Sequence, residues 1–267
     1  MEKKKVGLAL GGGASRGLAH IGVLEVLKKE RVPIDMIAGT STGAIIGALC
    51  AQGKDVSVIR ELAFDLSHRR FVSFVDIALS RNGLIQGRNI NRLLETILGS
   101  QIKFSDLKTP FACIATDIMT GEEVVLNQGL LLDSVRASIS IPVIFSVAKV
   151  NGRYLVDGQL VNPVPVDILR EMGADFIIAV NVIPNFKAGI RQTKILKGPT
   201  ILDVIMNSMD IANTLLVRHS LEGADIIIEP DVRHIGTRDF HRVEECIRQG
   251  KKATEEAIPK IRNQLED

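Results

Sequence analysis

Apolar positions along this chain come in short blocks that switch between the strand period and the helix period. Val6-Gly7-Leu8-Ala9-Leu10 is a compact apolar run closed by glycines and predicts a buried strand. Leu18, Ile21, Val23, Leu24, Val26 and Leu27 follow at helical spacing and predict a helix over Leu18 to Glu30. Met36 to Ala38 reads as a second short strand, and the alanine-rich Ala44 to Gln52 as a helix packed into the core. Further strands are expected at Phe111 to Thr116, Glu123 to Leu126, Arg153 to Val156, Phe176 to Val182 and Asp225 to Glu229. Further helices are expected at Asn89 to Leu98, Val166 to Met172, Thr200 to Arg218 and Arg242 to Gln264. This alternation predicts an α/β protein with a parallel sheet covered by helices. No repeat or low-complexity segment interrupts it. Phe186 to Lys197 reads as a loose loop and not a linker, because a strand of the same sheet follows at Asp225. One domain over 1–267 is expected, with its core at about 6–250.

Composition refines this picture. Of 267 residues, 46% are apolar but only 4% aromatic and none is Trp, so the core must be mainly aliphatic. Charged residues make up 24% and the net charge is +2, which argues for neither nucleic acid nor a strongly anionic partner. Cys50, Cys113 and Cys246 are far apart with no CxxC spacing. They suggest no zinc site and no disulfide framework, and fit a reducing, cytoplasmic location as buried small hydrophobes. Lys3, Lys4 and Lys5 before Val6–Leu10 look superficially like a signal peptide, but the apolar run is too short and glycine-broken. Met36 to Ala51 is too short and too polar to span a bilayer.

Two loops carry chemistry. Gly11-Gly12-Gly13-Ala14-Ser15-Arg16-Gly17 joins the first strand to the first helix. Glycines there let the backbone approach a ligand, with N–H groups presented beside a helix N-terminus. Gly11, Gly13 and Gly17 approximate a dinucleotide fingerprint, and the same loop suits an oxyanion hole. The dinucleotide reading needs an acid at the end of the second strand; that strand ends in Gly39-Thr40-Ser41, and Asp35 lies at its other end. Arg16 is either a further donor in this loop or a surface cation. Gly39-Thr40-Ser41-Thr42-Gly43 is a G-x-S-x-G sequence between a strand and an apolar helix, the context a nucleophile elbow demands. Its plain alternative is a helix N-cap.

A serine nucleophile needs a base. His219, His234 and His241 follow any acid of a Ser–Asp–His order and leave a triad open. His20 lies one helical turn beyond the glycine loop and reads as a packing or supporting residue, and His68 beside Arg69 and Arg70 as a solvated face. Asp157, before Gly158 at the end of the Tyr154-Leu155-Val156 strand, is either an acid facing a cleft or an ordinary turn residue.

Three separated segments, Gly11–Gly17, Gly39–Gly43 and Asp157-Gly158, resemble the oxyanion, nucleophile and aspartate motifs of patatin-like phospholipases. Thr116-Asp117, Thr120-Gly121-Glu122, Arg136-Ala137-Ser138, Ile141-Pro142 and Asn162-Pro163-Val164-Pro165 resemble the bacterial members related to the catalytic domain of neuropathy target esterase. The resemblance runs from Val6 to about Gly250. It implies a three-layer α/β/α fold with a mainly parallel sheet, a Ser41–Asp157 dyad without histidine, and an oxyanion hole around Gly11, Gly12 and Gly13. It also implies acyl-ester lipids as substrates, with no metal or organic cofactor. Gln159 stands where the family usually has Gly or Ala. That departure leaves a second reading, an acyl-lipid-binding or regulatory domain with little turnover.

Phe71, Phe74, Val75, Ile77 and Leu79 beside Arg69 and Arg70 suit either a core helix or contact with the inner face of an anionic membrane. Ile201, Ile205, Met209, Ala212 and Leu216 share one helical face, which suits core packing, a homo-oligomer or a lipid surface.

Overall fold

The computed structural model describes residues 4–68, 88–184 and 201–266. Strands β1 (Val6–Leu10), β2 (Met36–Thr40), β3 (Phe111–Asp117), β4 (Glu123–Leu126), β5 (Ala148–Val150), β6 (Arg153–Asp157), β7 (Phe176–Val180) and β8 (Ile226–Ile228) form one sheet. Its order is β5-β6-β3-β2-β1-β7-β8, with β4 also on β3. The helices are α1 (Ala19–Lys29), α2 (Thr42–Ala51), α3 (Val56–His68), α4 (Arg88–Leu98), α5 (Leu131–Ser138), α6 (Val166–Glu171), α7 (Ile201–Ser220) and α8 (Val243–Glu266).

The sheet is parallel across β3, β2, β1, β7 and β8 and antiparallel where β3 meets β4 and β6, and β6 meets β5. Short connections, which cannot supply a crossover, make β3–β4 and β5–β6 antiparallel. The β5–β6 hairpin turns on Asn151-Gly152, both at positive φ (49° and 80°), as a two-residue turn matched to strand twist requires.

The two faces of the sheet are packed differently. Leu8, Leu10, Ile37, Phe111, Ile178 and Val180 meet large aliphatic side chains of α1, α2, α4 and α8. On the other face Ala9, Ala38, Ala112 and Ala179 let α6 sit close through Val166, Ile168 and Leu169. These are the three layers expected.

The pairing of β3 positions the site. Cys113 and Ile114 pair with both β2 and β4, and Ala115 and Thr116 pair with both β4 and β6. A strand has two edges, so β4 holds one and β2 and β6 share the other, end to end. Thr40 lies opposite Ile114 and Asp157 opposite Ala115. The last residues of β2 and β6 therefore meet, although they are far apart in sequence.

Some local expectations change. The turn after the glycine loop is a 3-10 helix over Ala14–Leu18, and α1 starts only at Ala19. Helix α7 leaves Ile205, Met209 and Leu216 of the expected apolar face half-buried and Ala212 exposed. Its buried residues are Asp210, Asn213 and Val217, while Ile211 and Leu215 point out. An ion pair of Asp210 with buried Arg16 sets that orientation. Phe71 to Leu79, Arg69, Arg70 and the Phe186–Lys197 loop lie outside the described residues. Among the described residues no helix is long and apolar enough to cross a membrane.

Candidate active site

Ser41 sits between β2 and α2 with φ 54° and ψ −120°, a conformation that side-chain-bearing residues rarely adopt. The flanking glycines are steric requirements. A Cβ on Gly39 would lie 2.6 Å from the Gly43 carbonyl, and one on Gly43 would lie 2.0 Å from the Leu10 carbonyl. Ser41 C=O accepts from Ala44 N–H at 2.9 Å, so α2 starts at once. Ser41 N–H donates to Ser138 Oγ at 3.0 Å, where α5 ends.

Asp157 ends β6 and is fully buried. Its Oδ2 accepts from Ser41 Oγ–H at 2.7 Å, and its Oδ1 accepts from Gln159 N–H at 2.9 Å. Its own N–H donates to Ser140 C=O at 3.0 Å, and its carbonyl accepts from Thr116 Oγ–H at 2.9 Å. Burial raises its pKa to about 7, against the opposing pull of the Gln159 and Ser41 donors. The following residue must be glycine, since a Cβ on Gly158 would lie 2.3 Å from the Ile114 carbonyl.

The glycine loop departs from expectation in detail. Gly11 N–H donates to Val180 C=O and Gly12 N–H to Pro163 C=O, both at 3.0 Å. These two groups brace the loop and are not free for an oxyanion. Among the described residues no backbone carbonyl takes the Gly13 N–H. Arg16, expected as a further donor, is 5% exposed and turned away. Its Nε donates to Ile235 C=O at 2.9 Å and its guanidinium pairs with Asp210 at 3.1 Å, because a buried cation needs a counter-charge. Gln159 is buried, and a Cβ on Gly12 would meet its side chain at 2.4 Å. It therefore lies against the glycine loop and is not part of the cavity wall.

Among the described residues no histidine hydrogen-bonds Ser41 or Asp157. His219 pairs with Glu222 at the exposed end of α7, and His234 with Glu245. His20 is buried against the Gly11 carbonyl, and His241 stands in the cavity wall. The three cysteines are free, and burial pushes their thiols up, Cys50 to about 11 and Cys246 to about 12. Among the described residues no group of three or more His, Cys, Asp or Glu could hold a metal ion.

Ser41 and Thr42 open on a cavity of about 450 Å³, within the ~300–1,000 Å³ range of small-molecule sites. Its wall is mainly aliphatic, from α2 (Ile45, Ile46, Leu49) and α4 (Ile90, Leu93, Leu94) in particular, with Thr237, Arg238, Asp239 and His241 supplying a polar and charged part. Ser138 and Thr116 stand in segments that resemble the family, but the sequence attaches no role to either. A serine at a helix end and a threonine in a strand carry no local signal of what they will face.

Fold and site together define an α/β protein with an elbow serine hydrogen-bonded to a buried carboxylate at the end of a neighbouring strand. The family model of the patatin-like phospholipases matches residues 8–170, and the chain belongs to that family. An uncharacterized NTE family protein of Mycobacterium tuberculosis is 34% identical over 178 residues, 67% of this chain and 49% of that protein. Neuropathy target esterase sws of Drosophila melanogaster is 31% identical over 182 residues, 66% of this chain and 13% of that one. The chain thus spans half or less of the length of these relatives. The crystal structure of VipD from Legionella pneumophila matches in fold with a TM-score of 0.58 at 13% identity, covering 97% of this chain and 67% of that one.

Proposed function

We propose that this protein is a serine acyl hydrolase that cleaves carboxylic ester bonds of phospholipids or lysophospholipids through a Ser41–Asp157 dyad. The observation that carries this reading is the 2.7 Å hydrogen bond from Ser41, in the wall of a mainly apolar cavity, to Asp157 buried behind it. An acyl chain occupies the cavity and its ester carbonyl lies against Ser41. Asp157 takes the Ser41 proton as Oγ attacks the carbonyl carbon. The raised pKa brings the carboxylate closer to the serine it must deprotonate than an exposed aspartate would be. Negative charge on the carbonyl oxygen is met by the N–H groups of Gly13 and of Thr42, the residue after the nucleophile. Asp157 returns the proton to the leaving alcohol, and water activated by the same carboxylate hydrolyses the acyl-serine.

The test is covalent and kinetic. A fluorophosphonate probe is expected to label Ser41, with loss of fluoride and formation of a phosphonyl ester. Ser41→Ala and Asp157→Asn are each expected to lower hydrolysis of a short p-nitrophenyl ester by about 10³-fold or more in folded protein. An active Ser41→Ala protein would remove the reading altogether. Loss of activity in a folded His241→Ala variant would move the base from Asp157 to that histidine.

A further inference from the structure

His20 belongs to the first turn of α1. Helical side chains lean toward the N-terminus of their helix, and this carries the imidazole back onto the end of β1. There Nε2 lies 2.7 Å from the Gly11 carbonyl oxygen. A carbonyl only accepts, so Nε2 carries the proton and donates. The ring is fully buried, and Nδ1 has no partner among the described residues. Burial lowers its pKa to about 4, against a smaller upward pull from the Gly11 carbonyl. A neutral, single-tautomer histidine with an orphaned nitrogen is a poor way to fill a core. An aliphatic residue would fill the same space without the orphan. What the imidazole adds is the bond to Gly11.

That bond acts on one peptide plane. The Gly11–Gly12 peptide is held at its oxygen by His20 and at its N–H by Pro163 C=O, 3.0 Å away. Gly43 has no side chain where the Gly11 carbonyl passes, since a Cβ there would lie 2.7 Å from that oxygen. The next N–H along the loop is that of Gly13.

We propose that His20 is a positioning residue, which fixes the Gly11–Gly12 peptide plane and so aims the Gly13 N–H at the oxygen on which charge develops. The inference rests on the reading of Ser41 as an acyl-transfer nucleophile with Gly13 as a donor to the oxyanion. His20 touches neither substrate nor the reacting atoms.

His20→Leu removes the donor, and His20→Gln keeps an N–H at a similar reach. With a p-nitrophenyl ester, His20→Leu is expected to lower kcat about 10- to 100-fold with KM within about twofold, the size of effect that misplacing a donor has. His20→Gln should recover most of that loss. The preference for an oxo ester over its thiono analogue should fall in His20→Leu by a similar factor, because the larger, weakly accepting sulfur gains little from the hole and so loses little when a donor is misaligned. A role in packing alone moves none of these ratios. The inference is overturned if folded His20→Leu keeps its kcat, if the loss lies in KM, or if the glutamine variant is as impaired as the leucine variant. A measurement on the unaltered protein does not depend on folding of the variants. Long-range ¹H–¹⁵N spectra should give His20 as the Nε2–H tautomer, with no titration between pH 5.5 and 8. An Nδ1–H tautomer or a charged ring at pH 7 overturns the inference. If Ser41 is labelled by the fluorophosphonate while His20→Leu is unimpaired, this inference fails and the dyad stands. If Ser41→Ala remains active, the dyad has failed first.

Discussion

The two strands that meet on one edge of β3 deliver their reactive residues by different means. At the end of β2 most of what fixes Ser41 is close by in sequence, with Ser138 on its N–H the distant exception. Two glycines admit a tight turn, the serine takes a strained φ, and α2 begins at the next residue. At the end of β6 the fixing groups are scattered. Thr116 from β3, Ser140 from the segment after α5, and Gln159 just beyond the strand each hold one atom of Asp157. The nucleophile is placed by local steric demand and the base by a distributed set of hydrogen bonds. Damage at the elbow should therefore be abrupt, whereas damage around the aspartate should be graded.

The sharpest way to break this contrast is Gly43→Ala. The added Cβ would lie 2.0 Å from the backbone oxygen of Leu10, and neither partner is a flexible side chain that can step aside. The elbow must shift against β1, at a cost of about 3 kcal/mol or more. An activity loss above about 100-fold is expected even in protein that still folds. Gly121→Ala is the control from the antiparallel end. Its Cβ would meet nothing within 4 Å, and only the φ of +76° opposes it. It should cost about 1 kcal/mol and leave kcat unchanged. Urea denaturation and ester hydrolysis on both variants measure the difference, and similar effects at the two sites would dissolve the contrast.

Asp157 gives a prediction of intermediate size with opposite signs in activity and stability. The base must be ionised, so kcat/KM should rise with pH and reach half its maximum near pH 7. The folded pKa lies above the unfolded value of 3.8. The stabilisation from the protonated carboxyl is thus fully present below about pH 4 and is lost as pH rises through 7. Asp157→Asn removes this burden. Relative to the unaltered protein it should be more stable at pH 8, by on the order of 2 kcal/mol, with the gain fading toward pH 4. Denaturation at pH 5 and pH 8 reads this directly. An asparagine variant less stable than its parent at pH 8 would mean that the carboxylate is not strained by burial.

What the sequence made legible follows the same division. β1 and β4 have the boundaries read from their apolar runs, and the elbow was recognisable because its determinants are contiguous. β2 runs two residues beyond its apolar stretch, since Gly39 and Thr40 pair with β3 despite carrying no strand signal. The Asn151-Gly152 dipeptide is a strong local turn signal and closes the β5–β6 hairpin, whose first strand lies outside the strands expected from the apolar runs. Helix α5 is not legible in the sequence, because eight residues with Asp133 and Arg136 among them give little periodicity. The fully buried stripe of α7 lies beside its apolar face and not on it. It contains Asp210 and Asn213, and a polar buried stripe can be expected only once Arg16 is known to lie behind it. Asp157 likewise had no local mark to separate it from a turn residue. Its role depends on β2 and β6 sharing an edge of β3, a fact of sheet topology. The Gly11 and Gly12 N–H groups were assigned to chemistry because glycine loops present N–H groups. That assignment leaves out the carbonyls of Val180 and Pro163, which arrive from far along the chain.

The smallest effects divide the two placements most finely. Ser138→Ala removes the acceptor of the Ser41 N–H, and Thr116→Val removes the donor to the Asp157 carbonyl while keeping the side-chain shape. Each deletes one buried hydrogen bond, so each should lower stability by about 1 kcal/mol. Their effects on kcat should differ. The Ser41 N–H has no other restraint at the elbow than the strained turn itself, so its release lets Oγ wander from Asp157, and kcat should fall about 3- to 10-fold. Asp157 keeps its bonds to Ser140, Gln159 and Ser41 when Thr116 is lost. Its carboxylate should stay in place, with kcat within about twofold. The measurement is the ratio of kcat loss to stability loss in the two variants. A larger ratio for Thr116→Val would mean that the base, not the nucleophile, depends on a single restraint, and the division between local and distributed placement would be reversed.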